Sequence, residues 1–292
     1  MTSLDPIVVD DQLFERRVRL PALPRVIQEV LEKTQSGDAE PKEVAELIDQ
    51  DAAFAAHLLK VVNSAYYGLP VAVGSVRLAI AYLGLGEVAR IALTLSVMRT
   101  LSGEQAELTQ AFWTRSYHTA LVSRRLAKPL GFTPDDSEKL YAAALLHDLG
   151  KLVYAMVFPD HFAQISQYCR DHGCRAVEAQ AALGLPLDTS LGMQLARHWH
   201  LPESVRRACA FHELEDLESL GSKEEASPVE VAVCVAALLS VLCVYPLTED
   251  RRQAICQQVQ RVLELNNDEF LLLMGDVYQL RNDAVAAVDG LA

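Results

Sequence analysis

The segment Val231–Tyr245, VAVCVAALLSVLCVY, limits what this chain can fold into more than any other stretch. Its 15 residues include one plainly polar side chain, Ser240. As a helix it would measure about 22 Å, short of the ~30 Å needed to cross the hydrocarbon of a bilayer. Glu230 and Pro246 close it, and no basic cluster flanks it. A helix that is apolar on all sides must be buried on all sides. The chain therefore needs a core thick enough to surround it.

The remaining sequence supplies helices for that core. Apolar residues recur at helical spacing almost throughout, and no alternating β-branched run argues for a strand. Pro24 opens a helix over 24–35, stopped by Gly37, and Pro41 opens the next, with Val44, Leu47 and Ile48 on one face. Asp51 caps a helix over 52–63, and Ser75 caps one over 76–83. Gly84 and Gly86 form a turn before a helix over 87–101. Beyond Gly103, long helices are predicted over 106–129 and 135–156, with shorter ones between the breakers up to Pro202. A polar loop over 215–227, the apolar helix 229–245 and helices near 249–263 and 267–288 complete the chain. The expectation is an all-α protein of roughly 12–15 helices. Its parts are an N-terminal segment (1–15), an N-terminal helical subdomain (16–103), a second helical subdomain (104–246) and C-terminal helices (247–292).

Charge narrows the function. Of 292 residues, 26 are basic and 39 acidic, a net charge of −13. Residues 1–110 hold 10 basic and 15 acidic side chains, so neither half conceals a basic domain. Direct DNA binding and anionic membrane surfaces are disfavoured, because both depend on Lys and Arg. The helix pair 42–50 and 52–63 mimics a helix-turn-helix, but its second member carries one Lys and no Arg. The beginning, MTSLDPIVVDD, lacks the pattern of a signal peptide, which points to the cytoplasm. None of the six cysteines forms a CxxC pair, so buried, reduced thiols are expected.

Chemistry concentrates in Leu145-Leu146-His147-Asp148-Leu149-Gly150-Lys151. Adjacent His and Asp inside an apolar helix are costly unless they are paired or bind something. Imidazole plus carboxylate begins a divalent metal site. His118 lies 29 residues earlier on the preceding helix, where an antiparallel pair would bring it to His147. Two readings stay open: a working metal centre on His118, His147 and Asp148, or a vestigial hydrogen-bonded pair that holds two helices. Lys151 faces either an anion or solvent. His212, beside Glu213, joins the site or sits at a helix end. Asn63 and Ser64 cap a helix or contact a ligand.

His118 and His147-Asp148 resemble the pattern of the HD superfamily of metal-dependent phosphohydrolases. That pattern ends in an Asp on a later helix, where this chain has Ala236-Ala237 and no Asp. The N-terminal half is similar to a narrower group, the HDOD (HD-related output domain) family of bacterial signalling proteins. The resemblance rests on Leu20-Pro21-Ala22-Leu23-Pro24, Leu58 through Gly68 with its Asn63-Ser64-Ala65 block, Ser75 through Gly84, and Leu201-Pro202 with His212. It covers residues 16–245; Ala52 and Phe211 depart from the family's usual Pro and His.

The resemblance implies an N-terminal helical layer on an HD-like core, with no catalysis and no required cofactor. A residual divalent metal is the exception it leaves open. It also implies signalling partners: sensors, receivers or cyclic-dinucleotide enzymes. A partner or ligand would act by biasing the packing of the two layers. The rival is an HD phosphohydrolase acting on a nucleotide or cyclic dinucleotide, with Asp188 replacing the missing carboxylate.

Overall fold

The computed structural model describes residues 4–10, 13–16, 25–36, 39–63, 67, 69–100, 106–219, 226–245 and 247–291. Among these every regular element is a helix. Two compact units emerge: Met1–Arg19 with Ala111–Leu280, and Leu20–Gln110 with Arg281–Ala292. In chain order, α1 (Leu13–Arg16) precedes the five helices of the second unit. These are α2 (Arg25–Ser36), α3 (Pro41–Asp49), α4 (Ala52–Val62), α5 (Val76–Leu83) and α6 (Leu85–Thr100).

The starts of α4 and α5 follow from local chemistry. Asp51 accepts a hydrogen bond from the Phe54 N–H at 2.9 Å, and Ser75 accepts one from the Leu78 N–H at 3.2 Å. Each satisfies a backbone donor that the first helical turn leaves open. Gly84, at φ 85°, makes the turn before α6, whereas Gly86 lies inside the helix. Ile48, Leu58, Val62 and Val76 are completely buried between these helices.

The first unit carries most of α7 (Ala106–Ala127), then α8 (Pro134–Leu146), α9 (Leu149–Val157), α10 (Pro159–His172) and α11 (Ala176–Ala182). It continues with α12 (Asp188–His198), α13 (Glu203–Ala210), α14 (Leu214–Glu218), α15 (Pro228–Val244) and α16 (Glu249–Leu263). It ends within α17 (Asn267–Leu291). The apolar helix α15 is surrounded as its composition demands. Val235, Leu239 and Leu242 pack with Val122 and Leu126 of α7, Ile255 and Val259 of α16, and Val277 of α17. Its start is a capping box, with the Ser227 N–H donating to Glu230 at 2.7 Å and the Glu230 N–H to the Ser227 hydroxyl at 3.4 Å. Among the described residues, one stretch passes the length and apolarity needed to cross a membrane, Lys139–Val157, and 72% of it is buried inside the protein.

One departure from the periodicity positions the site. The single helix expected over 135–156 is two helices, α8 and α9, separated by His147 and Asp148. Asp148 adopts φ −105°, ψ 21°, outside the helical well. The Cys209 thiol donates to the Leu146 carbonyl at 3.3 Å and so satisfies a backbone acceptor freed by the break.

Candidate functional site

Four chain segments converge on the elbow between α8 and α9. α7 brings Arg115, the elbow itself brings His147 and Asp148, the first turn of α9 brings Lys151, and the link from α13 to α14 brings His212. The elbow is held against α12 by two glycines. A Cβ on Gly150 would stand 1.7 Å from the Asp188 carbonyl oxygen, and one on Gly192 would stand 2.8 Å from the Gly150 nitrogen. Only glycine permits so close an approach of backbones.

Asp148 is 2% exposed and Arg115 5%, and the two form a direct ion pair. Lys151 donates to the same oxygen, Oδ2, at 3.0 Å. The Arg115 guanidinium also lies over the Tyr245 ring, 5.6 Å from its centroid. Burial by itself would push the Asp148 carboxyl up; the Arg115 guanidinium, and then Lys151, outweigh it and hold the group far below the usual carboxylate range. Asp188, buried but farther from compensating charge, is pushed up, first by burial and then by Asp148 against the pull of Lys151.

The imidazoles of His147 and His212 meet edge to face, with centroids 5.1 Å apart. Nδ1 of His147 lies 2.7 Å from the Ala144 carbonyl, and Nδ1 of His212 lies 3.0 Å from the Ala208 carbonyl. A carbonyl only accepts, so each Nδ1 carries a hydrogen, and in the neutral ring Nε2 is then a lone pair. Both Nε2 atoms are buried without a hydrogen-bond partner. His212 Nε2 is 3.8 Å from Asp148 Oδ1. Burial lowers the basicity of His147 well below the ordinary imidazole value, with His212 and Arg115 adding to it against the pull of Asp148.

The expected metal triad is not assembled as the spacing predicted. His118 is fully buried, but its Nδ1 lies 2.9 Å from the Ser240 hydroxyl and its Nε2 2.8 Å from the Val277 carbonyl. Both ring nitrogens are thus engaged by α15 and α17, leaving neither lone pair for a metal beside His147. The side chain of α7 that does reach Asp148 is Arg115, three residues earlier. Sequence reasoning missed it, although Arg115 is the only formally charged residue in the run 111–123, AFWTRSYHTALVS. A lone charge in so apolar a helix demands a buried partner.

The other candidates separate clearly. Asn63 is occupied by backbone: its Nδ2 donates to the Leu59 and Val73 carbonyls at 2.8 and 2.9 Å, and its Oδ1 accepts from the Val73 N–H at 2.7 Å. It fastens the end of α4 to the following loop. Ser64 lies outside the described residues. Asp188 is near Lys151 electrostatically, but its Oδ1 accepts from the Thr189 N–H at 3.0 Å. The thiols also depart from expectation: Cys209 and Cys234 are buried, whereas Cys169, Cys174, Cys243 and Cys256 are partly exposed.

A hydrolytic centre of the HD kind needs several imidazole and carboxylate donors converging on metal. Among the described residues, no group of three or more His, Cys, Asp or Glu side chains is arranged to hold one. The carboxylate that would be central to it carries two cationic side chains instead.

Comparisons agree with this architecture. Residues 20–214 match the HDOD domain family. An HDOD domain protein of unknown function from Geobacter sulfurreducens superposes with a TM-score of 0.74 at 22% identity, covering 96% of each chain. A candidate phosphohydrolase from Shewanella amazonensis SB2B superposes with a TM-score of 0.72 at 22% identity, covering 96% of this chain and 97% of that one. A candidate signal transduction protein from Marinobacter aquaeolei VT8 gives 0.70 at 20% identity, over 98% and 67% of the two chains. At these identities the likeness is one of fold. An uncharacterized protein of Treponema pallidum is 28% identical over 204 residues, which is 66% of this chain and 37% of that relative's length.

Proposed function

The chain belongs to the HDOD family, and we propose that it is a non-catalytic signalling module that acts by binding a partner or ligand. The observation that carries this reading is the buried Arg115–Asp148 ion pair. A metal at an HD-type elbow would have to share Asp148 with a guanidinium. Two like unit charges 4 Å apart repel by about 4 kcal/mol at an effective dielectric of 20, and a divalent ion roughly doubles that. Arg115 and Lys151 supply the positive charge that a metal would otherwise provide. The elbow can therefore fold and persist as a structural joint. The fold shared with the candidate signal transduction protein of Marinobacter aquaeolei agrees with a signalling role.

One observation favours a second reading. The two bare Nε2 atoms of His147 and His212 are the kind of buried orphan that a bound cation would satisfy. That reading makes the protein a metal-dependent hydrolase of phosphoesters. Turnover assays with nucleotides and cyclic dinucleotides, in the presence of Mn²⁺, Mg²⁺ or Zn²⁺, separate the two. The binding module gives no turnover above an Asp148→Asn control. Metal-dependent turnover that this substitution abolishes would establish the hydrolase.

A further inference from the structure

A different corner of the first unit places two of the partly exposed thiols together. Helix α10 ends at His172, and Gly173 follows in the left-handed conformation at φ 62°. The N–H groups of Gly173 and Cys174 both point back to the Cys169 carbonyl, the latter at 3.3 Å. This is the left-handed helix ending in which the residue just beyond the glycine folds back over the last full turn. Such a turn normally presses two apolar side chains together at these two positions. Here both are cysteines, and both are partly exposed; burial, and then the neighbouring Cys174 thiol, push the Cys169 thiol up.

We propose that Cys169 and Cys174 form a reversible intrachain disulfide when the protein meets a hydroperoxide. The first sulfur, as thiolate, attacks the terminal peroxide oxygen. The O–O bond breaks, and the departing alkoxide or hydroxide takes up a proton to leave as alcohol or water. The second sulfur then attacks the resulting sulfenic acid. The S–O bond breaks, and the hydroxide leaves with the second thiol's proton as water. Two thiols lose two electrons, the peroxide gains them, and a dithiol reductant reverses the reaction. A disulfide tolerates Cα separations of about 4.4–6.8 Å, and the Cys174 N–H already lies 3.3 Å from the Cys169 carbonyl. Closing the bridge therefore needs side-chain rotation and no rearrangement of helices.

The turn also has a mechanical connection. Arg175, the next residue, pairs with Glu215 at 2.9 Å and Glu213 at 3.5 Å. Those carboxylates belong to the segment that carries His212. A redox event at residues 169–174 thus acts on a turn strapped to one wall of the elbow.

The test uses the full chain, reduced, freed of reductant, treated with hydrogen peroxide and quenched with N-ethylmaleimide. Trypsin cuts after Arg170 and Arg175, so the two cysteines fall in separate peptides, 152–170 and 171–175. The expected product is these two peptides joined by a disulfide, with both sulfurs shielded from the maleimide and released by dithiothreitol. Cys169→Ser and Cys174→Ser each abolish it, and Cys243→Ser leaves it intact. Recovery of both peptides alkylated and unlinked would overturn the proposal, as would bridges to other cysteines or between chains. The wild-type peptide map decides without reference to how any variant folds.

Discussion

Arg115 and Asp148 stand 33 positions apart in the chain and meet with their side chains 5% and 2% exposed. Removing one partner leaves a buried, unpaired charge. Arg115→Met is expected to cost about 3–5 kcal/mol of folding stability, with Asp148→Leu similar. Replacing both with apolar residues, as in Arg115→Met with Asp148→Leu, should cost clearly less than the two single losses combined. Urea denaturation of the four proteins gives the coupling directly. Strict additivity would mean that the pair contributes no interaction.

The glycine contacts predict opposite signs at two positions. Gly150→Ala sets a Cβ against the Asp188 backbone carbonyl, which has no flexible end to move aside. A loss of several kcal/mol is expected, within the range of severe core overpacking. Gly275, exposed within α17, has nothing near its would-be Cβ. There Ala should add up to about 1 kcal/mol through helix propensity. Thermal unfolding of both variants tests whether backbone approach, rather than glycine itself, is what matters.

Acid should weaken the protein in two stages. The folded state holds His147 well below its unfolded value of about 6.5, so the unfolded chain takes up the proton first. Stability then falls as pH drops below about 6.5, at a rate approaching ~1.4 kcal/mol per pH unit for this one group. Asp148 is depressed in the folded state, so its contribution is complete above its unfolded value of about 3.9 and is lost progressively below it. His147→Gln should flatten the first stage and leave the second. Unfolding free energies measured from pH 8 to pH 3 in both proteins resolve the stages.

His118 is predicted to be structural. Its nitrogens join Ser240 and Val277, so His118→Ala leaves buried polar groups unsatisfied and should cost about 1–3 kcal/mol. Ser240→Ala should cost less, because only one of the two bonds is lost. A His118 variant that kept its stability but lost a bound metal would contradict this role.

Much of the architecture was legible because its causes are local. The buried character of α15 follows from its composition, and Asp51 and Ser75 cap their helices through contacts three residues away. The break at His147–Asp148 was not legible, since apolar spacing runs straight through it. Its supports come from Arg115 and Cys209, 33 and 63 residues distant from the groups they meet. Arg115 was passed over in favour of His118 for a related reason. Residues three apart share one side of a helix. Spacing therefore could not decide which of them faces the elbow; the rotation of α7 in the packed core decides it. The Cys169–Cys174 contact depends on a left-handed Gly173, a signal available from the sequence only once α10 is known to end there.

The central claim is that Arg115, with Lys151, takes the place of a metal cation at the elbow. Elemental analysis of the protein, purified without chelator and without added metal, tests it most directly. The account predicts Mn, Fe, Ni and Zn all far below one equivalent per chain, in wild type and in a His147→Ala, His212→Ala double variant alike. Near-stoichiometric metal in the wild type, lost in the double variant, would contradict it.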